Sequence, residues 1–174
     1  MIRRFEGIAP SLGDGAWVDA SAQVIGDVAL GADCSVWPLA TIRGDVHQIR
    51  IGARSNVQDN ACLHVTHDGS YLPGGAGLTL GEDVTVGHGV ILHGCTIGSR
   101  VMIGMGSIVM DEAIIEDDVL LAAGSLVSPR KRLESGHLYR GRPAVKVRPL
   151  TAAELEQLRY SAAHYVRVKN RYMA

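Results

Sequence analysis

Residues 97–127 read IGSRVMIGMGSIVMDEAIIEDDVLLAAGSLV, and every sixth position from Ile97 (Ile103, Val109, Ile115, Leu121, Val127) is a branched aliphatic residue. A helix needs apolar positions at i, i+3, i+4 and i+7, and a period of six drifts around its surface. Six residues suit a short strand followed by a tight corner, and three such units close one triangular coil of a parallel β-helix. The same series extends towards the N-terminus through Val18, Val24, Leu30, Val36 and Ile42, then Ile51, Val57 and Leu63, then Leu80, Val86 and Leu92. These seventeen stops predict between five and six stacked coils. Small or β-branched residues recur four positions after most stops (Cys34, Ala40, Val46, Ser55, Ala61, Val84, Thr96, Ser107 and Ala113 among them) and are expected to pack beside them. Glycine often follows a stop directly, at Gly31, Gly52, Gly81, Gly87, Gly98 and Gly104, and is read as permitting the corner.

The breaks in register matter as much as the register. Three extra residues separate Ile42 from Ile51, eleven extra separate Leu63 from Leu80, and one is missing between Leu92 and Ile97. The large insertion contains DGSYLPGGAG, residues 68–77, which must leave the coil as a loop. The β-helix is assigned to residues 1–132. Residues 133–150 read as an irregular linker. Residues 151–174 read as a helix, with a capping box at Thr151 and Glu154 and an apolar stripe of Leu155, Leu158, Ala162, Tyr165, Val166 and Tyr172. A lone helix of that length is marginal, so it is expected to pack on the solenoid or on a neighbouring subunit.

Composition narrows the functional classes. The chain has 174 residues, 21 glycines, one phenylalanine and a formal net charge of −1, which gives no electrostatic footprint for nucleic acid or an anionic membrane. No apolar run is long enough to span a bilayer and the start lacks a signal-peptide core, so the chain reads as cytoplasmic. Cys34, Cys62 and Cys95 are odd in number and lack a CxxC spacing, and they read as reduced, buried thiols.

Among the seven histidines, His47, His137 and His164 have no partner spacing and read as structural or solvated, and His67, three residues after His64 and just before the loop, reads as a surface residue. His64 and His93 each follow a stop and therefore face outward. They lie 29 residues apart, one 18-residue coil plus the 11-residue insertion, which stacks them in adjacent coils about 4.8 Å apart at the backbone. Two imidazoles so placed can share a metal ion, or can simply be solvated. His88 belongs to a different edge of the triangle and reaches such an ion only from a neighbouring chain around a threefold axis.

The solenoid, the string HGVILHGC from His88 to Cys95, the pair Leu63-His64, RGD at Arg43 to Asp45 and NVQDN at Asn56 to Asn60 together resemble the gamma-class carbonic anhydrase family, over essentially the whole chain. The resemblance implies a left-handed β-helix, against the usual crossover handedness of parallel strands. It also implies a homotrimer and a zinc, iron or cobalt ion held by His64 and His93 of one subunit and His88 of another. It further implies an ion pair between subunits from Arg43 and Asp45, Gln58 bonded to the metal-bound water or substrate, Asn56 and Asp59 supporting that shell, and Tyr165 lining the pocket. Arg167 and Val46 depart from the family pattern, where asparagine and a proton-shuttling glutamate stand. The implied activity is reversible hydration of carbon dioxide to bicarbonate. The alternatives are a metal-binding homologue that acts on another small carbonyl or serves in an assembly, and a hexapeptide acyltransferase.

Overall fold

Stacking is visible in the strand pairing of the computed structural model, which describes all 174 residues. The chain winds as a left-handed parallel β-helix with three faces and ends in one α-helix. The first face stacks Trp17–Val18, Ser35–Val36, Asn56–Val57, Thr85–Val86, Met102–Ile103, Leu120–Leu121 and His137–Arg140. The second stacks Ile2–Arg3, the first halves of the long strands Gln23–Leu30 and Thr41–Ile51, then Cys62–His64, Ile91–His93, Ile108–Val109 and Leu126–Val127. The third takes Ser11–Leu12, the second halves of the two long strands, Leu78–Leu80, Thr96–Ile97, Ile114–Ile115 and Arg132–Leu133.

Sixteen of the seventeen stops are buried, and Val18, at the open lower end, is half-buried. Their companions obey strand alternation, two residues before each stop, more strictly than the spacing of four after it. Where the register breaks the two rules part: Val46 and Thr96 face outward, while Ile49 and Cys95 take the inward places. The glycines after the stops also serve a purpose other than the expected one. None of the six has positive φ; the left-handed corner residues lie two positions on, at Asp33, Arg54, Asp83, Gly89, Arg100 and Gly106. A Cβ on Gly52 would stand 2.5 Å from the backbone of Gly81, so these glycines let adjacent coils approach. At that corner Arg54 pairs with Asp83 and Glu82, and Arg100 with Asp118 and Asp117.

The repeat continues past both ends of the apolar series, giving seven strands per face instead of five to six coils. Residues 133–150 are not irregular. Leu133 is a buried stop, Tyr139 fills the first face of the last coil, and Val145–Pro149 folds back antiparallel on His137–Arg140. Substitution of tyrosine for the aliphatic stop hides this coil from the pattern. Cys62 is also corrected, since it faces outward on the second face while Cys34 and Cys95 are buried; all three are free.

The helix, Ala152–Tyr172, carries the expected capping box and packs on the first face of its own chain. Leu158 and Ala162 are buried, and Tyr165 and Tyr172 meet Trp37 at 5.4 Å between ring centroids. The stripe also runs on to Lys169, which is 1% exposed and places Nζ 2.8 Å from Asp33 on a corner of the solenoid. This helix is not long and apolar enough to cross a membrane.

Candidate metal centre

His64 and His93 pair in register on adjacent strands, as the arithmetic of coil plus insertion requires. Their rings turn the same way out of the second face, with His64 Nδ1 3.1 Å from His93 Nε2. Two nitrogens bound to one tetrahedral ion at about 2.0–2.1 Å would stand about 3.3–3.4 Å apart, so a few tenths of an ångström separate this pair from a shared ion. The remaining nitrogens are already held. His64 Nε2 lies 3.0 Å from Asp45 Oδ1, and His93 Nδ1 lies 2.9 Å from Asp111 Oδ1.

The carboxylates are fixed in turn. Arg43 pairs with Asp45 inside the chain, because residues two apart on a strand share a side. Thr66, the first residue after the coil leaves for the loop, donates its hydroxyl to Asp111 at 2.6 Å. Burial pushes Asp45 and Asp111 up, yet the hydrogen bonds from Arg43 and His64, and from Thr66 and His93, outweigh it and hold both below the usual carboxylate range. Burial, opposed by the Asp45 bond, lowers His64, which favours the neutral ring that a ligand must be.

His88 stands apart, half exposed on the corner between the first and second faces, with Nδ1 3.0 Å from Asp59 Oδ2. Within the single chain no group of three histidine, cysteine or acidic side chains is placed to hold a metal ion. Behind His88 opens a cavity of about 410 Å³ between the first face and the helix, lined by Gln58, Thr85, His88, Met102, Met105, Leu120, Ala122, Ser161 and Tyr165 among others. Gln58 is buried at its floor and donates Nε2 to Asn56 Oδ1 at 3.1 Å. Asn56 donates to Thr85, whose hydroxyl meets Ser161 on the helix at 3.1 Å. Tyr165 lines the cavity, and burial, aided by the nearby Asp59 charge, raises its phenol.

Asp111, Thr66, Thr85 and Ser161 were missed by sequence reasoning. Asp111 follows His93 by 18 residues, one regular coil, and that spacing was the available signal. The others had none, because an isolated Ser or Thr on a strand or helix carries no period. Tyr71 is 82% exposed at the loop tip, and the loop reaches this site only through Thr66 at its base.

Residues 94–129 match the family model for the bacterial transferase hexapeptide (six repeats). Protein YrdA of Escherichia coli is 56% identical over 173 residues, covering 99% of this chain and 94% of the relative. Gamma carbonic anhydrase 1, a mitochondrial protein of Arabidopsis thaliana, is 40% identical over 158 residues that cover 90% of this chain and 57% of the plant protein. This chain therefore aligns with little more than half of that relative. A crystal structure of a hexapeptide transferase family protein from Anaplasma phagocytophilum superposes with a TM-score of 0.91 at 39% identity, covering 99% of this chain and 98% of the other.

Proposed function

The chain belongs to the hexapeptide-repeat family and has gamma carbonic anhydrases among its relatives, and on that premise we propose that it is a metal-dependent hydratase whose substrate is carbon dioxide. One observation carries the reading. His64, His93 and His88 each give one ring nitrogen to an aspartate, and the other nitrogens of His64 and His93 face one another, the carboxylate–histidine arrangement that fixes tautomer and direction in metal ligands. In this reading three copies assemble so that His88 of one chain joins His64 and His93 of the next. Zinc, iron and cobalt all suit three imidazoles.

When bound, such an ion supplies a Lewis acid able to lower the pKa of water to about 7. The chain's own residues do the rest. Asn56 anchors the Gln58 amide, whose Nε2 it accepts, and so leaves Gln58 Oε1 to orient water or substrate at the cavity floor. Asp59 keeps the proton of His88 on Nδ1, directing the Nε2 lone pair outward. Val46 is exposed where the family pattern has glutamate, which leaves proton export to buffer and solvent.

A second reading, acyl transfer, draws support from the apolar cavity beside His88. Stopped-flow hydration of carbon dioxide by the zinc and iron forms separates the two. The expected result is metal-dependent hydration that rises with the concentration of a small buffer such as imidazole. Acyl transfer from a thioester by metal-free protein, with no hydration in any metal form, would overturn the assignment.

A further inference from the structure

Gln58 can stand at the cavity floor in either of two senses. A side-chain amide is nearly symmetric in shape, so its hydrogen-bond partners alone decide whether it turns oxygen or NH2 towards a ligand. Gln58 is 4% exposed and spends Nε2 on Asn56 Oδ1 at 3.1 Å, so its sense is handed down from Asn56. The buried Asn56 amide poses the same question. Its Nδ2 lies 3.4 Å from the Val84 carbonyl, a long contact, and 3.2 Å from Thr85 Oγ1. A carbonyl only accepts, but a hydroxyl accepts or donates, so Thr85 alone can hold Asn56 in either direction.

The helix settles the choice. Thr85 is buried, and its hydroxyl meets two groups only, Asn56 Nδ2 and the Ser161 hydroxyl at 3.1 Å. Were Ser161 the donor, the Thr85 proton would be buried without an acceptor. With that proton spent on Ser161, Thr85 accepts from Asn56, Asn56 accepts from Gln58, and Gln58 Oε1 is left for the cavity. Without Ser161 the proton turns to Asn56, reverses its amide and brings the Gln58 NH2 round to the floor. Ser161 sits between Leu158 and Ala162 on the buried stripe of the helix, where alanine would favour the helix more, and its hydroxyl has no bond other than the one to Thr85.

We propose that Ser161 is a positioning residue: by accepting the Thr85 proton it sets the direction of the chain Thr85–Asn56–Gln58, so that Gln58 presents its carbonyl oxygen to the cavity beside His88. This deepens the hydratase reading, on which it rests for the use of that oxygen. An acceptor there takes a proton of water and leaves the water oxygen's lone pair for attack, whereas an NH2 group would occupy that lone pair.

Selective 15N labelling of the four glutamines tests the direction in metal-free, full-length protein, with the Gln58 side-chain amide identified by its loss in Gln58→Leu. Ser161→Ala is expected to shift that resonance and to speed its exchange with water about threefold or more, the equivalent of one net hydrogen bond. Ser161→Thr, which keeps the hydroxyl, should stay near the parent. Thr85→Val removes the proton that would reverse Asn56, so adding Ser161→Ala to it should change nothing further; a hydroxyl that merely docks the helix would add its effect in both backgrounds. A Gln58 amide unmoved by Ser161→Ala, or moved equally with and without Thr85→Val, would overturn the proposal. Should Thr85→Val fail to fold, the contrast of alanine with threonine at position 161 decides. Hydration measured on metal-loaded samples keeps the readings apart. Resonance changes as expected with no hydration in any metal form contradict the hydratase and leave the positioning role standing; full hydration with an unmoved resonance does the reverse.

Discussion

His93 presents Nε2 to His64 only while Asp111 holds its Nδ1, and Asp111 is itself held by the Thr66 hydroxyl. If these rings are metal ligands, the carboxylate acts through His93 and not on the ion. Asp111→Asn keeps the shape but offers an amide that can turn its NH2 towards the imidazole and favour the wrong tautomer. Metal affinity, read by competition with a chromophoric chelator, should drop roughly 10- to 100-fold while the melting profile changes little. Thr66→Val should move affinity in the same direction by less. Unchanged affinity in both would remove Asp111 from the site. At this scale the sequence was legible wherever function rides on the repeat: His64 and His93 are brought together by coil arithmetic alone. It was opaque where a residue acts from a break in the repeat, as Thr66 does from the loop base. It also misled for the glycines, whose service is close backbone approach while the corner φ falls two residues later.

The helix shows the same division one level up. Its cap and its stripe through Leu158, Ala162 and Tyr165 were readable, but Lys169 was not, although it continues that stripe four residues on. A lysine is discounted from an apolar face because its charge belongs in water. Here the charge is carried to the solenoid edge, where the half-exposed corner residue Asp33 and the Asn170 amide oxygen receive it. The asymmetry of burial predicts an asymmetry of effect. Asp33→Ala leaves the buried ammonium with only the Asn170 amide oxygen to accept from it and should cost about 1–3 kcal/mol in chemical denaturation. Lys169→Met removes the charge, preserves the packing, leaves Asp33 in water and should be close to neutral. Equal losses in the two variants would show that the pair matters for its geometry alone. The last coil was lost to sequence reading for a related reason: Tyr139 takes an inward place usually held by Val, Ile or Leu, and the antiparallel strand Val145–Pro149 has no period of six.

At the scale of the whole molecule, the three faces are unequal. The helix covers much of the first, and the third shows Arg50, Thr79, Thr96 and Arg132 to solvent. The second carries an outward column of Cys62, Ile91, Ile108 and Leu126 with nothing packed on it, beside His64 and His93. His88 stands on the corner that a neighbouring copy would present to that face. The central claim is that the ligands come from two chains, and mixed refolding of His64→Ala and His88→Ala proteins tests it most directly. Each variant alone should lose metal, because two histidines hold it far more weakly than three. Unfolded together and refolded, a mixed trimer contains an interface in which the His88→Ala chain supplies intact His64 and His93 and its neighbour supplies intact His88. Recovery of metal and of hydration activity in verified mixed trimers is the predicted result. Metal that stays at the single-variant level in those trimers would contradict the account, since ligands drawn from one chain can never be completed by mixing.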